Sequence, residues 1–482
     1  MNTSAARYEQ FSPVGMMRVL AVAIGLLVLL GLVLANSVEQ LLAYLIVLSA
    51  AVLPSVLWIR MGALGIPILP VVSLAYIPYF GWPALSGSEG TLDYTAWEIL
   101  RSALTVALFL VTATVAWRQM AGRVHSQHAI APDQVDASRV VRLVLSGLLV
   151  GILFHIGIIS GWLIWVGSFF GLVRIVAVTF VTVACFLIGV TRAQGLLRGN
   201  AWAVAIGGVG LLMVLAWSSL FLVGGMVYGL ALALGYVIVA RRIPWLALGA
   251  VLVTVTILHA GKAEMRGKYW MQDSNYGGVS SVVQLPGFAA EWVGEGISAI
   301  STGEIGQSVL ERTSLLQMIL RVQRDTPDHV DFLRGETYSL LPAILVPRFI
   351  DSDKPASQVG MTLLNIHYGI LSVEAAEVTA IGWGLVAEAY ANFGYLGVIG
   401  IALILGAFCG TLAVWSAHAE IVSLPTLASI ATMMALVNLE QDFIALFSTL
   451  YQSFIAVFIF YHAYRSLVIS QNRPAHSETW VS

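Results

Sequence analysis

Glu388-Ala-Tyr390-Ala-Asn392-Phe393-Gly394 stands directly ahead of a long apolar run. A glutamate there suits a general base or a carboxylate that orients an acceptor hydroxyl. The same residue equally suits the positive end of a helix dipole, where acids are favoured. A second candidate is Arg312. Over Glu304–Arg324 the residues Leu315, Leu316, Met318, Ile319 and Val322 recur at helical spacing and form one face, with Gln317, Arg321 and Arg324 opposite. Arg312 falls in the middle of the apolar face and Glu311 at its edge. Such an arginine either snorkels or pairs with Glu311 or another carboxylate, or is held as a desolvated cation over an anionic substrate. For Arg321 and Arg324 the nearby Asp325 and Asp328 favour a solvated, ion-paired face.

Arg101 and Arg174 lie inside apolar runs, near the same ends of them in the topology below. A charge in such a place faces a wet cavity or snorkels. Two cations at one level would suit a phosphate headgroup. His155 and His259 read more simply as hydrogen-bonded core residues. Asp325-x-x-Asp328-His329-x-Asp331 has metal-ligand residue types, but its spacing matches no standard site, so no metal is expected. Walker, HExxH and CxxC motifs are absent from the sequence. Gly207-Gly208 and Gly224-Gly225 are read as small residues that let helices pack closely.

The elements that must position these residues are membrane helices. Of the 482 residues, 59% are hydrophobic and 10% charged, against about 25% charged in an average soluble domain. So few charges cannot cover a water-exposed surface. A net charge of −2 gives no bulk attraction to nucleic acid. Cys185 and Cys409 lie inside apolar runs, so no structural disulfide is expected. Spanning runs of about 20 residues fall near 17–35, 41–59, 62–84, 99–117, 143–163, 171–190, 201–218, 221–240, 243–260, 394–415, 424–440 and 443–463. The first is long enough to span and is read as a helix, not as a cleaved leader. The expected fold is thus an all-α polytopic membrane protein of about 12 transmembrane helices with one large, largely helical outer loop.

Lys and Arg set the orientation. With the N-terminus in the cytoplasm, inner loops carry Arg60; Arg118, Arg123, Arg139 and Arg142; Arg192 and Arg198; Arg241 and Arg242, and the tail adds Arg465 and Arg473. Short loops on the other side, near 36–40, 85–97 and 219–220, carry none. The inner loop at 416–423 has no basic residue. Residues 261–382 hold nine Lys/Arg and more than half of the acidic residues. Alternation puts this segment outside, and long segments translocate whatever their charge. Within it, Ser339–Val346 is a short apolar stretch suited to a re-entrant or interfacial position.

The order of features in this loop is Glu311-Arg312, Arg321, Gly335-Glu336-Thr337-Tyr338, Val346-Pro347-Arg348, Lys354-Pro355, His367-Tyr368-Gly369, and then the Glu388 motif. In that order and topology the chain resembles the Wzy-type repeat-unit polymerases of bacterial inner membranes. These belong to the integral-membrane glycosyltransferases that also include the O-antigen ligases. The motif-level likeness spans about 304–394.

The resemblance implies transfer of a growing glycan from polyprenyl pyrophosphate to the non-reducing end of an incoming lipid-linked unit, without metal, nucleotide or other cofactor. Both termini would be cytoplasmic and the loop periplasmic. The implied partners are the lipid-linked oligosaccharide, the bilayer, and a flippase and chain-length regulator of the same pathway. Outer-loop arginines would handle the pyrophosphate, which suits bidentate guanidinium groups. The matching positions are Arg312 and Arg348, with Arg321, Arg324 and Arg334 after them. Glu388 joins Arg312 and Arg348 as a catalytic candidate, although Glu336, Glu311 and His367 also qualify by type as the base. Arg101, Arg174, Tyr338, Lys354 and Tyr390 complete the expected substrate contacts. Tyr269, Trp270, Tyr276, Trp292 and Tyr338 suit sugar stacking or plain packing. A ligase-like transferase remains an alternative, as does a lipid-linked oligosaccharide flippase. Charges gathered outside, not at mid-depth, favour surface chemistry over transport.

Overall fold

The computed structural model describes residues 13–63, 65–86, 89–122, 137–240, 242–270, 281–302, 314–346, 350–351, 353–379, 381–417 and 419–468. Among them every regular element is helical. The long apolar helices are α1 (Pro13–Leu34), α2 (Val38–Arg60), α3 (Ile68–Leu85), α4 (Ala96–Ala121), α5 (Ala137–Ile159), α6 (Phe170–Ala193), α7 (Gly199–Trp217) and α8 (Leu222–Ala240). A bent pair follows, α9 (Trp245–Ala260) and α10 (Lys262–Trp270), and then α11 (Leu285–Ser301) and α12 (Leu316–Asp325). Short helices α13 (Glu336–Ser339), α14 (Leu341–Leu345), α15 (Val359–His367) and α16 (Val373–Val378) lead to α17 (Gly384–Ala417), α18 (Leu424–Leu436) and α19 (Phe443–Val468).

Ten described helices are long and apolar enough to cross a membrane, and eleven if the α9–α10 pair, bent by 51°, is one span. The expected count of twelve falls short at α18. That helix has 13 residues, or about 20 Å of rise, against a hydrocarbon core of about 30 Å. Its apolar run extends in sequence to about position 440, but the helix stops at Leu436, ahead of the polar residues Asn438, Glu440, Gln441 and Asp442. Residues 261–382 are largely helical where described.

Helix starts follow local chemistry. Thr95 and Glu98 form a capping box at α4: Glu98 N donates to Thr95 Oγ1 at 3.3 Å and Thr95 N to Glu98 Oε2 at 2.7 Å. Ser37 caps α2 by accepting from Gln40 N, and Ser423 caps α18 by accepting from Thr426 N, each without the reciprocal bond of the box. In α3 one π-helical turn, Ile77–Gly81, contains Pro78, whose missing N–H cannot hold the regular ladder.

Two helix groups share one apolar core. In one, α4 lies against α2 and α17; in the other, α6 lies against α8, α5 and α19. Helices α18 and α19 join them. Glycines set the closest approaches. A Cβ on Gly406 would lie 2.1 Å from the Ala113 carbonyl of α4, and one on Gly235 2.0 Å from the Phe186 carbonyl of α6. These contacts pack backbone against backbone, the usual device between helices in lipid. The two glycine pairs singled out in the sequence behave differently. Gly208 abuts Leu148 and Gly225 abuts the Trp217 ring, whereas Gly207 and Gly224 face open space. Cys185 and Cys409 are both free and buried.

The polar segment lies over the ends of α3, α4, α17 and α19. Leu315 N donates to the Tyr79 carbonyl at 3.2 Å, and α12 packs on α4 and α17. Its apolar face is as expected from the sequence: Leu315, Leu316, Met318, Ile319 and Val322 are all buried.

Candidate functional site

Helix α17 is two helices in line. Phe393 (φ −142°) and Gly394 (φ 60°) break it, and the left-handed position favours glycine. The break leaves the carbonyls at the end of 384–392 open, and the polar segment fills them. Leu333 N donates to the Ala391 carbonyl at 3.0 Å and Arg334 N to that of Asn392 at 3.1 Å. The Asn392 side chain completes the joint. Its Oδ1 accepts from Gly335 N at 2.9 Å, and its Nδ2 donates to Thr337 Oγ1 and to the Glu388 carbonyl, each at 2.9 Å. Arg334 (φ 49°) and Gly335 (φ 93°) make the tight left-handed turn that this requires. Two motifs more than fifty residues apart, Gly335-Glu336-Thr337-Tyr338 and Glu388–Gly394, therefore interlock.

Glu388 lies at this joint. The sequence places it just ahead of an apolar run; in the fold the polar segment covers it and its exposure is 0%. Its Oε2 accepts from Phe443 N, the first amide of α19, at 2.6 Å. Its Oε1 has no hydrogen-bond partner among the described residues, and Thr337 lies alongside. Tyr338 stands within electrostatic reach of both Glu388 and Asp442. Its ring stacks on Phe393 at 6.3 Å and meets the edge of Phe443 at 5.3 Å, and its hydroxyl is buried without a hydrogen-bond partner among the described residues. Burial, with those two carboxylates nearby, pushes the Tyr338 hydroxyl far above the ordinary tyrosine range. It is therefore a neutral donor at any physiological pH.

Asp442, also at 0% exposure, is the second buried acid. Its Oδ1 accepts from Ala445 N at 2.8 Å, and burial holds its carboxyl above the ordinary range. Glu440 is half-buried two residues earlier. Burial raises its carboxyl, opposed by Lys262 and Arg266. In the sequence Glu440, Gln441 and Asp442 are hidden at the junction of two apolar runs. The available signal was four polar residues within 438–442, between two spans.

Tyr390 and Arg101 are on the other side of the half-helix. Two residues along a helix turn about 200°, so Tyr390 faces away from Glu388 and packs on Phe332 and Tyr395. Arg101 is within electrostatic reach of Tyr390 and donates to the Gln323 carbonyl at 2.7 Å. Gln323 itself is buried, bonded to Ser102 at 2.8 Å and to Thr105 at 2.7 Å. Arg174 is exposed on α6, a helix of the other group, and no interaction between it and Arg101 is found.

The other candidates are mostly held by the fold. Arg324 pairs with Glu98 at 2.9 Å, donates to the Asp93 carbonyl at 2.6 Å and lies over the Tyr94 ring at 3.6 Å. Arg321 pairs with Asp325 at 2.7 Å and donates to the Tyr368 carbonyl at 3.0 Å. Lys354 donates to the carbonyls of Ile344 and Val346 and so closes the end of α14. The apolar stretch there is a single short helix against α19. His367 Nε2 lies 2.9 Å from the Asp331 carbonyl. Arg334 and Glu336 are exposed. Trp292 is core: it is buried and donates to the Leu258 carbonyl at 2.7 Å. Tyr269 donates to Glu291 at 2.6 Å. His155 hydrogen-bonds Tyr228 at 2.9 Å. Arg312, Glu311, Arg348 and Tyr276 lie outside the described residues.

The arrangement defines a multi-pass helical membrane protein with a two-carboxylate site where a broken helix meets its polar segment. No known protein family, curated protein or solved structure matches the chain.

Proposed function

We propose that the protein joins lipid-linked oligosaccharide repeat units at the outer face of a bacterial inner membrane, as a Wzy-type polymerase. Both termini are then cytoplasmic, α18 serves as a short twelfth span, and 261–382 is periplasmic. The observation that carries this reading is Glu388: a buried carboxylate with one oxygen locked by Phe443 N and the other in reach of the Thr337 and Tyr338 side chains. In the proposed step Glu388 takes the proton of an acceptor sugar hydroxyl. The acceptor oxygen bonds to the anomeric carbon of the growing chain, and the bond from that carbon to pyrophosphate oxygen breaks. Polyprenyl pyrophosphate leaves with the electron pair. Arginines of the outer loop, Arg312 and Arg348 first, stabilise its developing charge.

The test mixes purified protein with lipid-linked repeat units, with no nucleotide or divalent ion added. A ladder of products on the polyprenyl carrier supports the reading. Transfer to a different acceptor makes the protein a ligase-like transferase. One observation favours a second class: a discontinuous helix beside buried carboxylates is also how ion-coupled transporters hold their substrates. Lipid-linked units moved across a vesicle bilayer and left unjoined would decide for a flippase.

A further inference from the structure

We propose that Asp442, seated on the outer-loop helix α15, is a positioning residue that aims the first amide of α19 at Glu388; this rests on Glu388 being the base. Three contacts meet at Asp442. As N-cap of α19 it accepts from Leu446 N on its carbonyl at 3.0 Å and from Ala445 N on Oδ1 at 2.8 Å. The capped end directs Phe443 N at Glu388 Oε2, 2.6 Å away. On the other side Oδ2 lies against the first turn of α15. A Cβ on Gly360 would stand 2.1 Å from Oδ2, so this seat forms only because residue 360 is glycine.

The geometry has a direct consequence for the site. Glu388 has one fixed oxygen because α19 begins where Asp442 puts it. With that oxygen fixed, Oε1 is the atom left for a proton, beside Thr337 and Tyr338. Without the cap, the first turn of α19 frays, the Phe443 amide loses its aim, and Glu388 turns with it. Docking of the outer loop through Gly360 is thereby tied to the alignment of the base. Asp442 never touches the acceptor in this scheme.

Two measurements on the full chain in lipid nanodiscs test it: turnover of lipid-linked units, and amide hydrogen exchange at Phe443. Asp442→Ala is expected to lower kcat between about 10- and 100-fold, the scale of a reacting group displaced by about 1 Å, with KM within about twofold. Exchange at Phe443 speeds up in the same variant. Asp442→Ser keeps a capping hydroxyl and recovers part of both losses. Gly360→Ala, which pushes on Oδ2 from the loop side, moves both readouts in the direction of Asp442→Ala. These last two variants decide the matter if Asp442→Ala does not fold. Wild-type kcat in Asp442→Ala overturns the inference. So does a loss of kcat with Phe443 exchange unchanged, or Asp442→Ser no better than Asp442→Ala. Failure of the wild-type protein to join repeat units refutes the polymerase reading alone. Phe443 exchange, slow in the wild type and fast in Asp442→Ala, still upholds the positioning, and equal exchange in the two refutes it.

Discussion

Glu388→Gln separates chemistry from structure at the proposed base. Glutamine keeps the side-chain volume, and its carbonyl oxygen can still accept from Phe443 N, which lies 2.6 Å from Oε2. The amide nitrogen then takes the place of Oε1, beside the Thr337 and Tyr338 hydroxyls, both able to accept. Two energetic changes oppose each other. The bond to Phe443 N loses its charge assistance, about 1 kcal/mol. Against that, the new amide nitrogen can donate to one of those hydroxyls, which contributes about 1 kcal/mol. Membrane abundance and melting temperature are therefore expected to stay at wild-type levels. Transfer is expected to fall about 10²- to 10⁴-fold, the contribution of a general base, or roughly 3–5 kcal/mol on the barrier. Glu388→Ala should behave differently. It leaves the buried Phe443 amide unpaired, at about 1–3 kcal/mol, and opens a cavity besides, so folded protein itself is lost. The assay is product ladder beside protein level in the same membranes. Full activity of Glu388→Gln at normal abundance refutes the base role, and disappearance of the glutamine variant returns Glu388 to structure.

Four further outcomes are expected. Cysteines placed near positions 280 and 480 and probed with an impermeant thiol reagent should label from outside at 280 only; the reverse pattern overturns the topology. Arg312→Lys keeps the charge but not the two-pronged donor geometry, so it should not restore polymer yield fully, while Arg312→Ala should leave abundance normal with yield down about a hundredfold to a thousandfold; full yield in Arg312→Ala ends the role for Arg312. Gly406→Leu drives a side chain into the Ala113 carbonyl, where even a Cβ would lie at 2.1 Å, and should cost about 3 kcal/mol or more, whereas Gly207→Leu, facing open space, should not lower the melting temperature. Burial raises the Asp442 carboxyl, so the folded chain keeps a proton there that the unfolded chain releases near pH 4; that contribution is full below about pH 4 and is lost as pH rises through the raised value, and melting curves from pH 4.5 to 7.5 should be flatter in Asp442→Asn.

Composition and apolar run length determined the all-helical, multi-pass class, because a chain with 10% charged residues has nothing to cover a water-facing surface. Periodicity gave the buried face of α12, since burial of one helical stripe is a local property of spacing. The order of motifs in and after the polar segment placed Thr337, Tyr338, Glu388 and Asn392 among the residues of interest. Only tertiary structure decided how they meet. A hydrogen bond such as Asn392 to Gly335 depends on a helix break and a left-handed turn far apart in the chain, and no local pattern encodes that pairing. Exposure was likewise a tertiary matter. Sequence shows Glu388 only as an acid ahead of an apolar run; the folded loop covers it, and the start of α19 supplies its amide partner. For Arg321 and Arg324 an ion-paired face was legible in the sequence, but only the fold chose the partners, Asp325 for Arg321 and Glu98 for Arg324, and only the fold put Lys354 on the Ile344 and Val346 carbonyls. The place of Asp442 is set by three elements that converge around it, α15, α17 and α19, and sequence shows only the one it begins.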